Sequence, residues 1–495
     1  MKRKLEDDVP PHQLVLAPMV GGSDLAFRLL ARRYGAQLCY TPMLYSGRFV
    51  QEAEYREAQL RSDSSGLDTP LVVHFCGNEP DVLVAAGRLA AQRPGVVAVD
   101  LNLGCPQRVA HAGNFGSYLC ASETGRCIAL RCVAAMAKRL PVPVFVKIRL
   151  LDEGVEETID FCLKLREAGA KLIAVHARYR GSPTRRRDGP ADLDAVRAIK
   201  AALPDMPILS NGNVRDAKDL LRALKNTHAD GVMSAEGALD DPGLFARAAM
   251  LSTKRRKKLR KAIKATSEGT AEHDELRVKL NAVPQLPRYE GDAPPDRQLL
   301  ALQYLHLAQS HGDGGPVTVA TARFHVRRMC RDQLAERKLG PLLEAATTMA
   351  HIVAIVHACT GDAGKHGSAL AELAQAAACE RRNAQKRTEF CGRMTRKARR
   401  EGRPDDFYLR HGLAPPTQAD VAVLRGMDAG QKLSWWGSRF GQHCIALHAD
   451  GVCPRAIGEF GCAYLHVPAT PLGAAEELAG APSWLRENNV LAEAS

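Results

Sequence analysis

The residues from 97 to 119, VAVDLNLGCPQRVAHAGNFGSYL, carry the chain's most pointed chemistry. An apolar strand pattern, Val97, Ala98, Val99 and Leu101, breaks into a polar loop with Asn102, Gly104, Cys105 and Pro106. Gly113 and Gly116 follow. A thiol just past the end of an apolar strand stands where α/β enzymes keep their reactive groups. Pro106 fixes φ and starts the next turn. Taken alone, Gly-Cys-Pro reads as a strand-end turn around a small buried thiol, because free Cys is among the most buried residue types. What surrounds the loop decides against that bland reading.

Short apolar runs recur along the chain at roughly 30-residue intervals, the spacing of βα units. They are Leu14–Ala17, Leu38–Tyr40, Leu71–Phe75, Val97–Leu101, Val142–Ile148, Leu172–Val175, Ile208–Leu209 and Gly231–Met233. Helical patterns lie between them, over Asp24–Tyr34, Glu79–Gln92, Glu123–Arg139, Val155–Ala168, Asp192–Ala202 and Val214–Lys225. Eight strands alternating with helices predict a parallel (β/α)₈ barrel of the TIM type. A doubly wound sheet is the alternative, because a sequence does not show closure.

In such a barrel, function sits at the C-terminal strand ends. Here those ends carry Pro18, Met19 and Val20; Thr41, Pro42 and Met43; His74; Asn102 and Cys105; Lys147 and Arg149; His176 and Arg178; Asn211, Gly212 and Asn213; and Ala235, Glu236 and Gly237. Singly, Lys147 fits a surface lysine and His176 a core histidine. Equivalent positions on successive strands make a site. Asn-Gly-Asn and Ala-Glu-Gly, after the last two strands, place backbone N–H groups where these barrels cradle phosphate, completed by a helix N-terminus near Leu239–Leu244. Tight turns favour the same residues.

The chain of 495 residues has room for two to four domains. Its net charge of +13 suits a polyanionic partner such as nucleic acid. The 14 cysteines are dispersed, which excludes a dense disulfide scaffold and points to a reducing compartment. The opening MKRKLEDDVPPHQ lacks an apolar core, and no run approaches the ~18 apolar residues of a membrane span. A cytoplasmic protein is expected, with Lys2, Arg3 and Lys4 leaving nuclear targeting open.

Residues 14–250 resemble the tRNA-dihydrouridine synthases, in particular the eukaryotic branch acting on positions 16 and 17 of the D-loop. The motifs are APMV at 17–20, YTPML at 40–44, DLNLGCPQ at 100–107, VKIR at 146–149, VHAR at 175–178, SNGNV at 210–214 and VMSAEG at 232–237. The resemblance implies FMN, with Pro18, Met19 and Val20 beside the isoalloxazine and His74, Lys147 and His176 touching it. Asn211, Gly212, Asn213, Ala235 and Glu236 would surround the ribityl phosphate. It also implies NADPH or NADH as reductant and tRNA as partner, with Asn102 and Arg178 on the substrate side. His74 stands where the family usually has Gln, and the arginine-rich run 178–187 departs from the family pattern. Cys105 is the expected general acid, delivering a proton to C5 of uridine while a reduced flavin delivers hydride to C6. An ordinary thiol, with pKa about 8.5, is mostly protonated at neutral pH.

The remaining segments read as a tail over 1–13, a basic, Pro-rich linker or insertion over 251–296, a helical tRNA-binding domain over 297–380, a basic arm over 381–430, a finger over 431–475 and a tail over 476–495. Arg323, His325, Arg327 and Arg328 form the cationic cluster of the helical domain. Cys444, Cys453, Cys462 and His466, spaced C-x8-C-x8-C-x3-H, resemble a CCCH zinc finger, with His448 as a substitute ligand and three unrelated cysteines as the alternative. Two other functions fit parts of the pattern. A flavin barrel acting on a small pyrimidine-like substrate would not need the basic segments, and a non-catalytic RNA-binding protein would not need Cys105 and Lys147.

Overall fold

Parallel pairing runs around a complete ring. The computed structural model describes residues 9–60, 66–180, 190–312, 316–361, 366–375, 377–378, 396, 399–400, 418–440 and 445–450. The strands are β1 (Leu14–Leu16), β2 (Leu38–Tyr40), β3 (Leu44–Tyr45), β4 (Leu71–Cys76), β5 (Val96–Leu103), β6 (Val144–Leu150), β7 (Leu172–Tyr179), β8 (Ile208–Asn211) and β9 (Gly231–Ser234). From β4 to β9 each strand pairs with the next, β9 pairs with β1, β1 with β2, and β2 with β4. The last pairing closes an eight-stranded barrel and removes the open-sheet alternative. β3 is a two-residue strand added to the upper end of β4.

Closure divides every strand by its period of two. Val15, Leu38, Tyr40, Val72, Ala98, Phe145, Leu172, Ala174, Leu209 and Met233 fill the cylinder. The intervening residues, such as Val73, Val99, Val146 and Ile173, face the surrounding helices. Those helices start at recognisable caps: Ser122, Asp192 and Asp216 each accept a backbone N–H of the first turn, worth ~1 kcal/mol apiece. The helical patterns of the sequence are recovered closely. Two short helices, Ser46–Gln51 and Ala53–Gln59, and strand β3 had no readable signal; each is too short for a periodic stripe.

Arg28, on the helix Leu25–Arg33, is buried; its Nε and Nη2 donate to Asp68 Oδ2 at 2.9 and 2.7 Å and its Nη1 to Ser23 O at 2.7 Å. Arg32 Nε donates to Asp68 Oδ1 at 3.1 Å. Burial by itself would push the Asp68 carboxyl up; Arg28 and then Arg32 reverse this and hold it below the usual carboxylate range.

The basic run Lys254–Lys261, expected in a linker, lies on the helix Leu244–Ala265, which crosses residue 250 without a break. A second helix, Ala271–Asn281, and an extended segment follow. Helices Arg297–His311, Pro316–Met329, Arg331–Glu336, Gly340–Ala345 and Met349–Thr360 then form a bundle docked on the barrel helix Leu25–Arg33. Phe27 stacks on His325 at 4.4 Å between ring centroids. Asp24 accepts from Tyr304 Oη at 3.1 Å and pairs with His325 Nε2 at 3.0 Å. His325 is therefore a core residue of this junction.

Residues 368–495 form a separate unit. Its described part contains helices Gln418–Gly426, Ala429–Phe440 and Ile445–Asp450. His448 packs against Trp436, and its carbonyl accepts from Arg425 Nε at 3.1 Å. Cys444, Cys453, Cys462 and His466 lie outside the described residues, as does most of the basic stretch 381–403. No cluster able to hold a metal, and no helix long and apolar enough to cross a membrane, occurs among the described residues.

The Arg28–Asp68 pair makes a stability prediction. Asp68→Ala strands a buried guanidinium and lowers unfolding free energy at pH 7 by about 3–5 kcal/mol, measured by urea denaturation. Because the folded carboxyl is depressed, its contribution is complete above the unfolded value of about 4 and disappears as pH falls through the folded value. The variant therefore flattens the acid limb of the stability profile. Arg28→Met with Asp68→Leu recovers most of the loss.

Candidate active site

Strand register assembles the site. His74 is level with Asp100, Asn102 with Lys147, Arg149 with His176, and His176 with Asn211. All are on the inward-facing set, one or two steps above the apolar filling, so the top of the cylinder is polar because the lower layers are not.

Cys105 is partly exposed at the end of β5, and its loop is locked. Asn102, buried beneath it, accepts from the backbone N–H of Gly104 and of Cys105 at 2.9 and 3.0 Å. Arg149 Nε donates to Gly104 O at 2.8 Å. Ser117 donates to Cys105 O from both its backbone N–H and its hydroxyl, at 3.1 and 2.9 Å. Gly116 has φ +63°, and a Cβ there would stand 2.7 Å from Cys105 O. The second glycine of the sequence pattern is thus the floor against which the cysteine rests.

Lys147 projects into the mouth with no hydrogen bond or ion pair among the described residues. Desolvation, then the neighbouring Arg149, lowers its pKa to about 8, with Asp100 and Cys105 opposing. Arg149 is itself lowered to about 10, first by desolvation and then by Arg178. His176 is driven well below its usual value by desolvation and by Lys147, Arg149 and Arg178, so it is neutral at pH 7. Arg178 Nη1 donates to His176 Nε2 at 3.1 Å. A guanidinium only donates, so the proton of the neutral ring is on Nδ1. Arg178 Nη2 donates to Asn213 Oδ1 at 2.8 Å, tying β7 to the loop after β8.

That loop and the next are in close contact. Asn211 Nδ2 donates to Met233 O at 2.9 Å, and a Cβ on Gly237 would fall 2.4 Å from Val214 O. Gly212 has φ +123°, and its missing Cβ would lie 2.9 Å from Ala191. After the neighbouring strand β1, Gly22 N donates to Met19 O at 3.0 Å, and Gly21 at φ +69° makes the turn, leaving Val20 69 % exposed.

Tyr40, Asp100 and Ser210 were not singled out from the sequence as site residues. His74 Nδ1 donates to Asp100 Oδ2 at 2.5 Å, and burial raises the Asp100 carboxyl despite the opposing pull of His74 and Lys147. Tyr40 Oη, Asp100 Oδ1 and Ser210 Oγ are buried with no hydrogen-bond partner among the described residues. A charged residue inside an apolar strand pattern was the available signal for Asp100. The predicted cationic cluster is engaged internally: Arg323 donates to Glu344 O at 2.8 Å, Arg327 pairs with the Glu344 carboxylate, and Arg328 pairs with Glu236 and Asp240 at 2.6 and 2.7 Å.

A parallel (β/α)₈ barrel with a thiol on a locked loop, an ammonium that has no partner among the described residues and two glycine-bearing loops after its last strands has the design of a cofactor-dependent barrel enzyme. Residues 15–281 match the family model described as Dihydrouridine synthase (Dus). The chain belongs to that dihydrouridine synthase family. It is 42% identical over 235 residues to a rat tRNA-dihydrouridine(16/17) synthase (NAD(P)(+))-like protein, covering 47% of this chain and 51% of the rat one. It is 39% identical over 245 residues to the tRNA-dihydrouridine(16/17) synthase of Saccharomyces cerevisiae, covering 49% and 56%. A human tRNA-dihydrouridine(20a/20b) synthase-like protein is 34% identical over 235 residues, covering 47% and 70%. The chain thus spans about half the length of the rat and yeast relatives.

The isolated ammonium has a measurable cost. Its penalty is complete below pH 8, the folded pKa, and fades as pH rises toward the unfolded value of 10.5. Lys147→Met is expected to stabilise the flavin-free chain by about 1–3 kcal/mol at pH 7. The gain should vanish near pH 10.5 in thermal unfolding followed by circular dichroism. Destabilisation at pH 7 would mean that the ammonium is satisfied in the folded chain.

Proposed function

We propose that the protein is a tRNA-dihydrouridine synthase that reduces uridine to 5,6-dihydrouridine in the D-loop, at position 16, position 17 or both. FMN would be its cofactor and NADPH or NADH its reductant. The observation that carries this reading is the placement of Cys105: partly exposed, with its backbone held by Asn102 and Ser117 and the preceding Gly104 by Arg149, above an inward belt of Lys147 and His176. The family membership and the two (16/17) relatives support the substrate and the position.

The residues fit a flavin. Unpartnered Tyr40 Oη, Asp100 Oδ1 and Lys147 offer polar groups to a heterocycle, Val20 offers an exposed apolar edge, and the absent side chains of Gly212 and Gly237 bring backbone close to the phosphate end. When bound, FMN supplies the hydride that reduces C6. Cys105 supplies the proton to C5, so the two deliveries saturate one double bond. Lys147 holds positive charge where negative charge develops, and its partly buried setting strengthens that charge's effect. Neutral His176 presents its Nδ1–H as a fixed donor. A base stacked in folded tRNA must be everted to reach a thiol inside the barrel rim. Lys254, Arg255, Lys257, Lys258, Arg260 and Lys261, exposed on the helix Leu244–Ala265, offer phosphate contacts away from the chemistry.

We also propose that Cys444, Cys453, Cys462 and His466 bind one Zn²⁺, on the strength of their spacing.

Dihydrouridine in tRNA from a deletion strain, read by mass spectrometry, tests the activity. The wild-type gene is expected to restore the modification. Cys105→Ala is expected to purify yellow and lose turnover by 10²-fold or more, the usual worth of a general acid. Unchanged turnover would remove Cys105 from the reaction. Metal analysis of the full chain is expected to find one zinc, lost in the double variant Cys453→Ser, Cys462→Ser; no stoichiometric zinc ends the finger.

A further inference from the structure

The loop after β9 contains an electrostatic contradiction. In the reading above it borders the flavin phosphate, yet it carries Glu236, and Asp240 lies one helical turn on. A phosphomonoester bears up to two negative charges, and carboxylates beside it repel it. The loop after β8 is better furnished: Arg178 reaches it through Asn213.

The contradiction is resolved from the helical bundle. Arg328, on the helix Pro316–Met329, places Nη1 2.6 Å from Glu236 Oε2 and Nε 2.7 Å from Asp240 Oδ1. Its Nη2 donates to Glu236 O at 3.0 Å. One guanidinium therefore meets both carboxylates and the backbone of the loop, with its side chain only 13% exposed. Arg331 adds a second cation to Asp240 at 2.6 Å. The same helix supplies His325, which binds Asp24 just beyond the Met19–Gly22 turn, on the loop after the neighbouring strand β1. The bundle is thus bonded to both loops that would flank the cofactor.

We propose that Arg328 is a positioning residue of the cofactor site: it cancels Glu236 so that the loop after β9 accepts the FMN phosphate, and it makes the helical bundle part of the flavin site. The inference rests on the flavin reading above. It also makes docking of the bundle and binding of FMN reciprocal, since each stabilises the arrangement the other needs.

Flavin affinity, read by fluorescence quenching on the full chain, tests this with FMN and riboflavin side by side. Riboflavin lacks the phosphate and is blind to the charge of the loop. Arg328→Gln is expected to weaken FMN at least tenfold while changing riboflavin less than twofold. Adding Glu236→Gln to it is expected to bring FMN back to within threefold of wild type. Glu236→Gln alone is expected to tighten FMN relative to riboflavin. Equal losses for both flavins, no loss for either, or no recovery in the double variant would overturn the role. Should Arg328→Gln not fold, the Glu236→Gln chain decides: an unchanged ratio of FMN to riboflavin affinity overturns the proposal. A wild-type chain that binds neither flavin would instead end the flavin reading itself.

Discussion

Closure of the barrel is the constraint on which the rest depends. Once β2 pairs with β4, the ring has no edge, and every strand must send alternate residues into a cylinder of fixed size. The lower part of that cylinder is filled by side chains such as Phe145, Leu172 and Leu209. In the upper part the same inward-facing series continues as His74, Asp100, Asn102, Lys147, Arg149, His176 and Asn211. Chemistry is concentrated at the mouth because register carries each strand's last inward residues to the same height.

The cost of this arrangement is electrostatic. Lys147, Arg149 and Arg178 crowd one side of the mouth, and desolvation plus mutual repulsion lower the first two. Part of the strain is relieved locally. His176 gives up its charge and accepts from Arg178, and Arg149 turns its guanidinium to the Gly104 and Tyr179 carbonyls. Among the described residues, Lys147 finds no such relief. A site that holds an unsatisfied cation in a partly dry cavity is preorganised for negative charge arriving from outside, and folding stability elsewhere, in the Arg28–Asp68–Arg32 cluster and the apolar layers, offsets it.

The helical bundle is bound to this site more intimately than a tethered RNA-binding appendage would be. Its arginines read in the sequence as a cationic cluster; in the fold Arg328 is turned onto the loop after β9, and Arg323 and Arg327 pair with the helix Gly340–Ala345. A run of like charges in a sequence carries no record of its partners. Glu236 and Arg328 are 92 residues apart, and only the packing of Phe27, Tyr304 and His325 at the junction brings their elements together.

The amino-acid order alone settles much of the protein. Eight apolar runs with helical spacers specify the barrel strands, because period and spacing are local properties. Cys105 declares itself by standing one step beyond such a run, and Gly116 by its distance from it. Motif resemblance places the family. The His74–Asp100 bond, the unsatisfied state of Lys147, the tautomer of His176 and the cancellation of Glu236 by Arg328 are decided only in three dimensions. Each depends on strand register or on docking between elements far apart in the chain, and the energy of a buried charge is set by what folding places beside it rather than by its neighbours in sequence.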